Sequence, residues 1–254
     1  MQPNDIQWAK FYQSLYKKTG LDLHLYKPAQ MQRRVWGMVS QQKLHDLDAF
    51  YAWIASAEAN MAWFLDKMAI NVSELFRNPE KWREVEQVIL PDLLTRTQRL
   101  KCWSAGCSYG AEAHSLAAIL DAKFPGGHSV LGTDIDMTAL SQAQSGTFSK
   151  DDFRGVPEAY RKYFTPIGEK YKASPALTKF LSFKRQNILA DRFDTGFDLI
   201  MCRNVVIYFT DEAKDVLYQR FFDSLKPGGI LFVGSTERIF NSSQMGFESP
   251  MPFF

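Results

Sequence analysis

Two short segments carry the clearest chemistry in the sequence. Residues 105–110 read Ala-Gly-Cys-Ser-Tyr-Gly between an apolar run and an amphipathic one, and Gly132-Thr133-Asp134-Ile135-Asp136 follows further along. A glycine-bearing loop between a strand and a helix lets the backbone approach a ligand, and the helix start offers free N–H groups. An acid ending the next strand can accept hydrogen bonds from both hydroxyls of a ribose. Asp136 is placed to cap the helix that follows, which leaves Asp134 for the ribose. Loop and acid together predict a nucleoside-bearing cofactor. They do not separate a nicotinamide from S-adenosylmethionine, and G-x-G-x-x-G itself is absent.

The elements that must position these residues are legible from pattern. Strands are expected over 100–104, 129–134, 197–202 and 230–234, with helices over 112–123, 138–143 and 211–225. Strand–helix alternation of this kind implies a parallel sheet covered by helices on both faces. Between residues 163 and 187 the pattern breaks into short β-like pieces, 170–172 and 180–183, read as a small insertion beside the sheet. The first 75 residues read as helices. Trp8, Phe11, Tyr12 and Leu15 share one face, and Pro28 opens a helix whose stripe is Met31, Val35, Met38 and Val39. Asp46 or Asp48 caps a third, carrying Phe50, Trp53 and Ile54, and a fourth over 60–69 turns Met61, Phe64, Leu65 and Met68 inward. Residues 71–79 form the junction.

Composition sets the class. With 46% apolar and 23% charged residues in 254, the chain reads as ordinary globular protein. No apolar run approaches the roughly 20 residues that span a bilayer. The N-terminus lacks the basic and apolar regions of a secretory signal, so the cytoplasm is expected. Cys102, Cys107 and Cys202 show no C-x-x-C spacing, so neither a disulfide framework nor a metal site is expected. Residues 1–45 hold seven basic residues against two acidic ones. Such a face is either simply solvated or a docking surface for an acidic partner.

Residues 197–209, Phe-Asp-Leu-Ile-Met-Cys-Arg-Asn-Val-Val-Ile-Tyr-Phe, look like the fourth methyltransferase motif, where a strand ends beside a reactive methyl. Leu225-Lys226-Pro227-Gly228-Gly229 is the turn widespread in S-adenosylmethionine enzymes. Further segments extend the likeness. Asn71-Val72-Ser73-Glu74-Leu75-Phe76-Arg77 is similar to N-x-[ST]-x-F-[FY]-R. Residues 103–112 resemble W-S-A-A-C-S-T-G-E-E. Thr133-Asp134-Ile135-Asp136 is T-D-I-D, and Asn187-Ile188-Leu189 resembles N-L-L. In these motifs, and over nearly its whole length, the sequence resembles the CheR family of chemotaxis receptor glutamate O-methyltransferases.

The resemblance implies an α/β fold: an N-terminal all-helical domain, then a Rossmann-like class I S-adenosylmethionine methyltransferase domain with a small β-subdomain insertion. The domains are expected at 1–75, for receptor docking, and 76–254, with the insertion at about 163–187. Carried over by position, it implies cofactor contacts from Asn71, Ser73, Arg77, Glu112, Asp134, Asn187, Ile188, Arg203 and Asn204. Ala111 departs from the first Glu of the motif, so the cofactor role falls to Glu112. Leu75 and His114 also depart, the latter read as structural. Arg77 and Tyr208 are the candidates for orienting an acceptor carboxylate, and Lys17, Lys18, Arg33 and Arg34 for docking the helical cytoplasmic region of chemotaxis receptors. The insertion resembles the family's small β-subdomain, which in some members grips a receptor tail peptide. Nothing demands more than a monomer.

Three other readings compete. Nucleic-acid methylation is disfavoured because residues 203–206 read Arg-Asn-Val-Val rather than [ND]-P-P-[YF], and no Pro-Cys pair occurs. A non-catalytic scaffold is disfavoured by Arg77, Asn204 and Tyr208 occurring together. A nicotinamide oxidoreductase is disfavoured by the turn at 225–229 and the Arg-Asn strand end.

Overall fold

A computed structural model describes residues 3–68, 73–234, 237, 239, 241–249, 252 and 254. Its N-terminal part is helical for local reasons. Asn4 and Gln7 form a reciprocal capping pair at the start of α1 (Asp5–Thr19). Pro28 opens α2 (Pro28–Gln41), and the Asp46 side chain caps α3 (Leu47–Ala55) by accepting from the Ala49 amide. The fourth helix, α4, is Glu58–Met68. Their apolar stripes meet in one cluster in which Trp8, Phe11, Leu15, Val35, Val39, Phe50, Ile54 and Phe64 are buried, with Trp53, Met61, Leu65 and Met68 packed partly exposed against it. Burial of such stripes, more than helix propensity, stabilises helices of this length.

Beyond residue 73 a five-stranded sheet dominates. Its strands are β1 (Lys101–Ala105), β2 (Ser129–Asp134), β6 (Leu181–Arg185), β7 (Phe197–Cys202) and β8 (Leu225–Val233), in the order β6-β2-β1-β7-β8. Every pairing is parallel, so the carboxyl ends of all five strands fall on one edge, where ligands bind in sheets of this kind. β7 is buried along its whole length, as a central strand covered on both faces must be. The residues 225–229 form a bulge inside β8 rather than a turn before it, since Phe197 pairs with Leu225 but Leu199 pairs with Ile230.

The small antiparallel sheet both begins and ends earlier than 163–187. Its strands are β3 (Thr147–Ser149), β5 (Lys170–Ala173) and β4 (Phe164–Ile167), in the order β3-β5-β4. The segment around 180–183, expected within it, is instead the edge strand β6 of the main sheet, in register with β2 from Val130–Leu181 to Asp134–Arg185. Alternating apolar residues describe an edge strand of either sheet equally well. What decides is space: a side chain on Gly132 would place its Cβ 2.5 Å from the Phe183 ring, so glycine lets β6 close on β2.

The two parts are laced together. The Lys27 amide donates to the Tyr208 carbonyl and the Thr210 amide to that of Leu25, both at 2.9 Å. Tyr26 bridges Phe209 and packs edge-on against its ring, centroids 5.0 Å apart. Among the described residues no helix is long and apolar enough to cross a membrane.

Candidate active site

The loop after β1 is built around Asp134. Amides of Gly106 and Cys107 donate to the Thr133 carbonyl at 2.8 and 2.9 Å. The Ser108 amide then reaches Asp134 Oδ2 at 2.7 Å, and the Asp136 amide reaches Oδ1 at 3.0 Å. Asp136 itself caps the next helix through the Thr138 and Ala139 amides, as expected. Burial raises the Asp134 carboxyl above the usual carboxylate range, opposed by these amides. Each carboxylate oxygen keeps a lone pair for a further donor.

Opposite this loop, β7 leads into Arg203 and Asn204. Asn204 takes a left-handed conformation, φ 61°, and its amide and that of Val205 donate to the Glu237 carboxylate at 2.9 and 3.1 Å. Burial raises the Glu237 carboxyl, and the amides it accepts from oppose that. A Cβ on Gly106 would lie 2.6 Å from Val205 Cγ2, so only glycine permits the two loops to meet. Of the five described non-glycine residues with positive φ, four (Phe76, Asn78, Ser108 and Asn204) lie in these loops and in the junction segment. Strain of this kind concentrates where function over-determines the backbone.

A cavity of about 530 Å³ opens between these strand ends and the helical part, within the range of small-molecule sites. Asp134, Asn187, Ile188, Asn204 and Tyr208 line it from the sheet side, with Arg33, Arg34 and Tyr26 from the helical side. Asn187 is held by its own turn, its Oδ1 accepting from the Leu189 amide at 3.0 Å. Burial pushes the Tyr26 phenol up, reinforced by the Asp134 charge, so it stays protonated in the cavity wall. Gln186 also lines the cavity, and its Oε1 is buried without a hydrogen-bond partner. That acceptor, with Asp134, suits a nucleoside bearing an amino group and two hydroxyls.

The remaining expected residues form a network beside the cavity rather than its lining. Arg203 donates to the Arg77 carbonyl at 3.0 Å and to Asn78 Oδ1 at 2.8 Å, and stands 3.5 Å from Glu112. Glu112 also accepts from the Ser104 hydroxyl at 2.7 Å. The side chain of Arg203 is 5% exposed and stacks 4.7 Å above the Phe232 ring. Ser73 and Arg77 are half-buried on the junction segment, and Asn71 lies outside the described residues. Tyr208 is raised by its burial and drawn back by the charges of Arg34 and Arg77, in that order. Arg34, expected as a docking residue, therefore also acts at the cavity; its Nε donates to the Lys67 carbonyl at 2.7 Å. Lys17 and Lys18 are exposed at the end of α1, away from the cavity.

Tyr26, Gln186 and Glu237 were not anticipated. For Glu237 a signal existed, since Gly234-Ser235-Thr236-Glu237 puts an acid just past the carboxyl end of β8, as Asp134 ends β2. Tyr26 had none, because nothing local says that the extended residue between two helical segments bridges to Phe209 and lines the cavity.

A parallel sheet with a ribose-suited acid after β2, a glycine loop after β1 and a helical cover is the arrangement of an S-adenosylmethionine-dependent methyltransferase. The chain belongs to the CheR methyltransferase family: residues 71–251 match its "CheR methyltransferase, SAM binding domain", and residues 6–69 match its "CheR methyltransferase, all-alpha domain". A chemotaxis protein methyltransferase of Listeria innocua is 36% identical over 247 residues, covering 96% of this chain and 94% of the relative. Chemotaxis protein methyltransferase 1 of Pseudomonas aeruginosa is 30% identical over 255 residues, covering 95% and 93%. The cofactor is S-adenosylmethionine.

Proposed function

We propose that the enzyme methylates glutamate side chains in the cytoplasmic helical region of chemotaxis receptors, forming glutamate 5-O-methyl esters in sensory adaptation, and that it works in the cytoplasm as a monomer. The observation that carries this reading is the charge of the cavity. Among the described residues the single acid lining it, Asp134, is held by backbone amides, whereas Lys27, Arg33 and Arg34 line its helical side and Tyr208 its sheet side. A site of this sign favours an anionic acceptor.

Asp134 and Gln186 hold the ribose and base, Asn187 and Ile188 line the base, and Ser73, Glu112 and Asn204 face the amino-acid part. Bound S-adenosylmethionine supplies an electrophilic methyl on a sulfonium. A carboxylate is already ionised at neutral pH and needs no base to become nucleophilic. The protein's task is therefore to hold its oxygen in line, and such positioning is worth several kcal/mol. Arg77 binds the carboxylate through its planar fork and Tyr208 donates from its phenol. Arg34 and Arg33 guide the acidic helix to the cavity, and Lys17 and Lys18 extend that field.

Incubation with labelled S-adenosylmethionine and receptor-containing membranes tests the reading. Base-labile label on glutamate supports it, and label in nucleic acid or none at all overturns it. Arg77→Ala should abolish transfer while the protein stays folded; full activity in that variant removes Arg77 from the mechanism.

A further inference from the structure

The segment that carries Ser73 and Arg77 is held from a direction that the cofactor site does not explain. Tyr109, in the loop after β1, stands where the resembled motif has Thr. Its hydroxyl shares one proton between the Ser73 carbonyl and Asp152 Oδ1, the latter at 2.8 Å. Asp152 closes the short helix Lys150–Phe153 by accepting from the Ser149 amide at 2.7 Å. Its main-chain carbonyl accepts from the Leu75 amide at 3.2 Å. The next amide, Phe76, donates to the buried Ser115 hydroxyl at 2.9 Å, and the Phe76 ring stacks on Tyr160, centroids 4.9 Å apart. Phe76 and Asn78, on either side of Arg77, both have positive φ, 55° and 60°. A backbone so bent stays bent only while its neighbours hold it.

We infer that Tyr109 and Asp152 are positioning residues that clamp the 73–78 segment to the insertion and so fix where Arg77 points. Neither reaches the cavity; each acts through Ser73 and Leu75. The inference rests on the reading of Arg77 as the group that orients the acceptor. A Thr at 109 would be too short to span both partners, so the clamp needs the tyrosine. It also makes the insertion part of the catalytic apparatus, because a shift of Lys150–Phe153 is felt two residues from Arg77.

The full-length enzyme tests this by two independent readouts. Amide hydrogen exchange at Leu75 and Phe76 reports the clamp without any acceptor. Tyr109→Phe should speed that exchange and lower kcat roughly tenfold to a hundredfold, the scale of an ångström-level misplacement, with little change in KM for the receptor. Asp152→Ala should do the same, and the double variant should be no worse than either single one, since the pair acts as a unit. Asp152→Asn should restore activity, because its amide can donate to the phenol oxygen and release the Tyr109 proton wholly to Ser73. Unchanged exchange in Tyr109→Phe overturns the inference, as does faster exchange with wild-type kcat, or effects that multiply in the double variant. If the wild-type enzyme methylates no glutamate, the acceptor reading fails while the exchange result still decides the clamp.

Discussion

The guanidinium of Arg203 donates to the main-chain carbonyl of Arg77 at 3.0 Å. The residue that follows β7 therefore holds the backbone of the junction segment, and the same fork faces Glu112. Arg203 is a bracket between three elements: β7, the first turn of the helix Ala111–Lys123, and the loop entering the catalytic part.

Arg203→Ala should accordingly cost about 3–5 kcal/mol, as expected when one partner of a buried pair is removed and the other is left uncompensated. Arg203→Lys should recover little, because an ammonium cannot reproduce the fork. Urea unfolding monitored by circular dichroism measures both. A loss under about 1 kcal/mol for Arg203→Ala, the size of an exposed pair, contradicts the bracket.

On the proposed role of Asp134 in holding the ribose, cofactor binding depends on its charge. Its carboxyl is raised by burial, so the ionised form is penalised in the fold. The contribution to stability has the corresponding sign: the cost is present at neutral pH and is relieved as pH falls through the raised value. Cofactor affinity runs the other way, since the ionised form accepts from both ribose hydroxyls and the protonated form does not. Affinity for S-adenosylhomocysteine should therefore fall on acidification, with a midpoint above the ordinary carboxylate range. Asp134→Asn should weaken binding by about tenfold or more and abolish that midpoint. Calorimetric titration across pH checks this.

Burial, opposed by Arg34 and Arg77, raises the Tyr208 phenol. It stays a protonated donor through neutral and mildly alkaline pH, and its contribution is lost only as pH rises past the ordinary tyrosine range. Methylation should show no alkaline limb from this residue below that range. Tyr208→Phe should lower kcat by about tenfold to a hundredfold, the loss of one hydrogen bond to a charged group, with the fold intact. An unchanged kcat assigns Tyr208 to packing.

Glu237 accepts amides from Asn204, Val205 and Gly234. Glu237→Ala strands these donors, at about 1–3 kcal/mol for each buried one left unpaired. It should loosen the Asn204 loop and raise the dissociation constant for S-adenosylhomocysteine. If thermal stability and cofactor affinity are both unchanged, the loop is held by other contacts.

Arg33 is exposed at the cavity rim, whereas Arg34 is half-buried and acts on Tyr208. Charge reversal at Arg33 should slow receptor methylation chiefly at low ionic strength, because exposed charges are screened by salt. Reversal at Arg34 should persist at high salt. Rates of both variants across a salt series separate the two roles, and equal salt dependence argues against the division.

How far the sequence reached differs from residue to residue. Pro28 at a helix start, Asp46 as a cap, Asp136 capping so that Asp134 is spared, and the apolar run at 197–202 were all legible, and the structure places them so. Each is a local signal, read from side chains within one turn or one pleat. The strand around 181–185 was legible as β but not as a member of the main sheet, because its partner Gly132 lies some fifty residues away and periodicity carries no address. The same limit hid Tyr26 in the cavity wall.

The sequence alone determined the helical and alternating halves, the acid that ends β2 and the motifs that mark the family, since these depend on residue type and spacing. Only the tertiary structure decided that Arg203 grips the Arg77 backbone across 126 residues of chain, that Arg34 turns toward Tyr208, and that Tyr109 ties the junction to the insertion. Those pairings are set by parallel register, by glycines that let loops meet, and by the shared burial of charges that must find partners. They are properties of distance in space, which spacing along the chain does not encode.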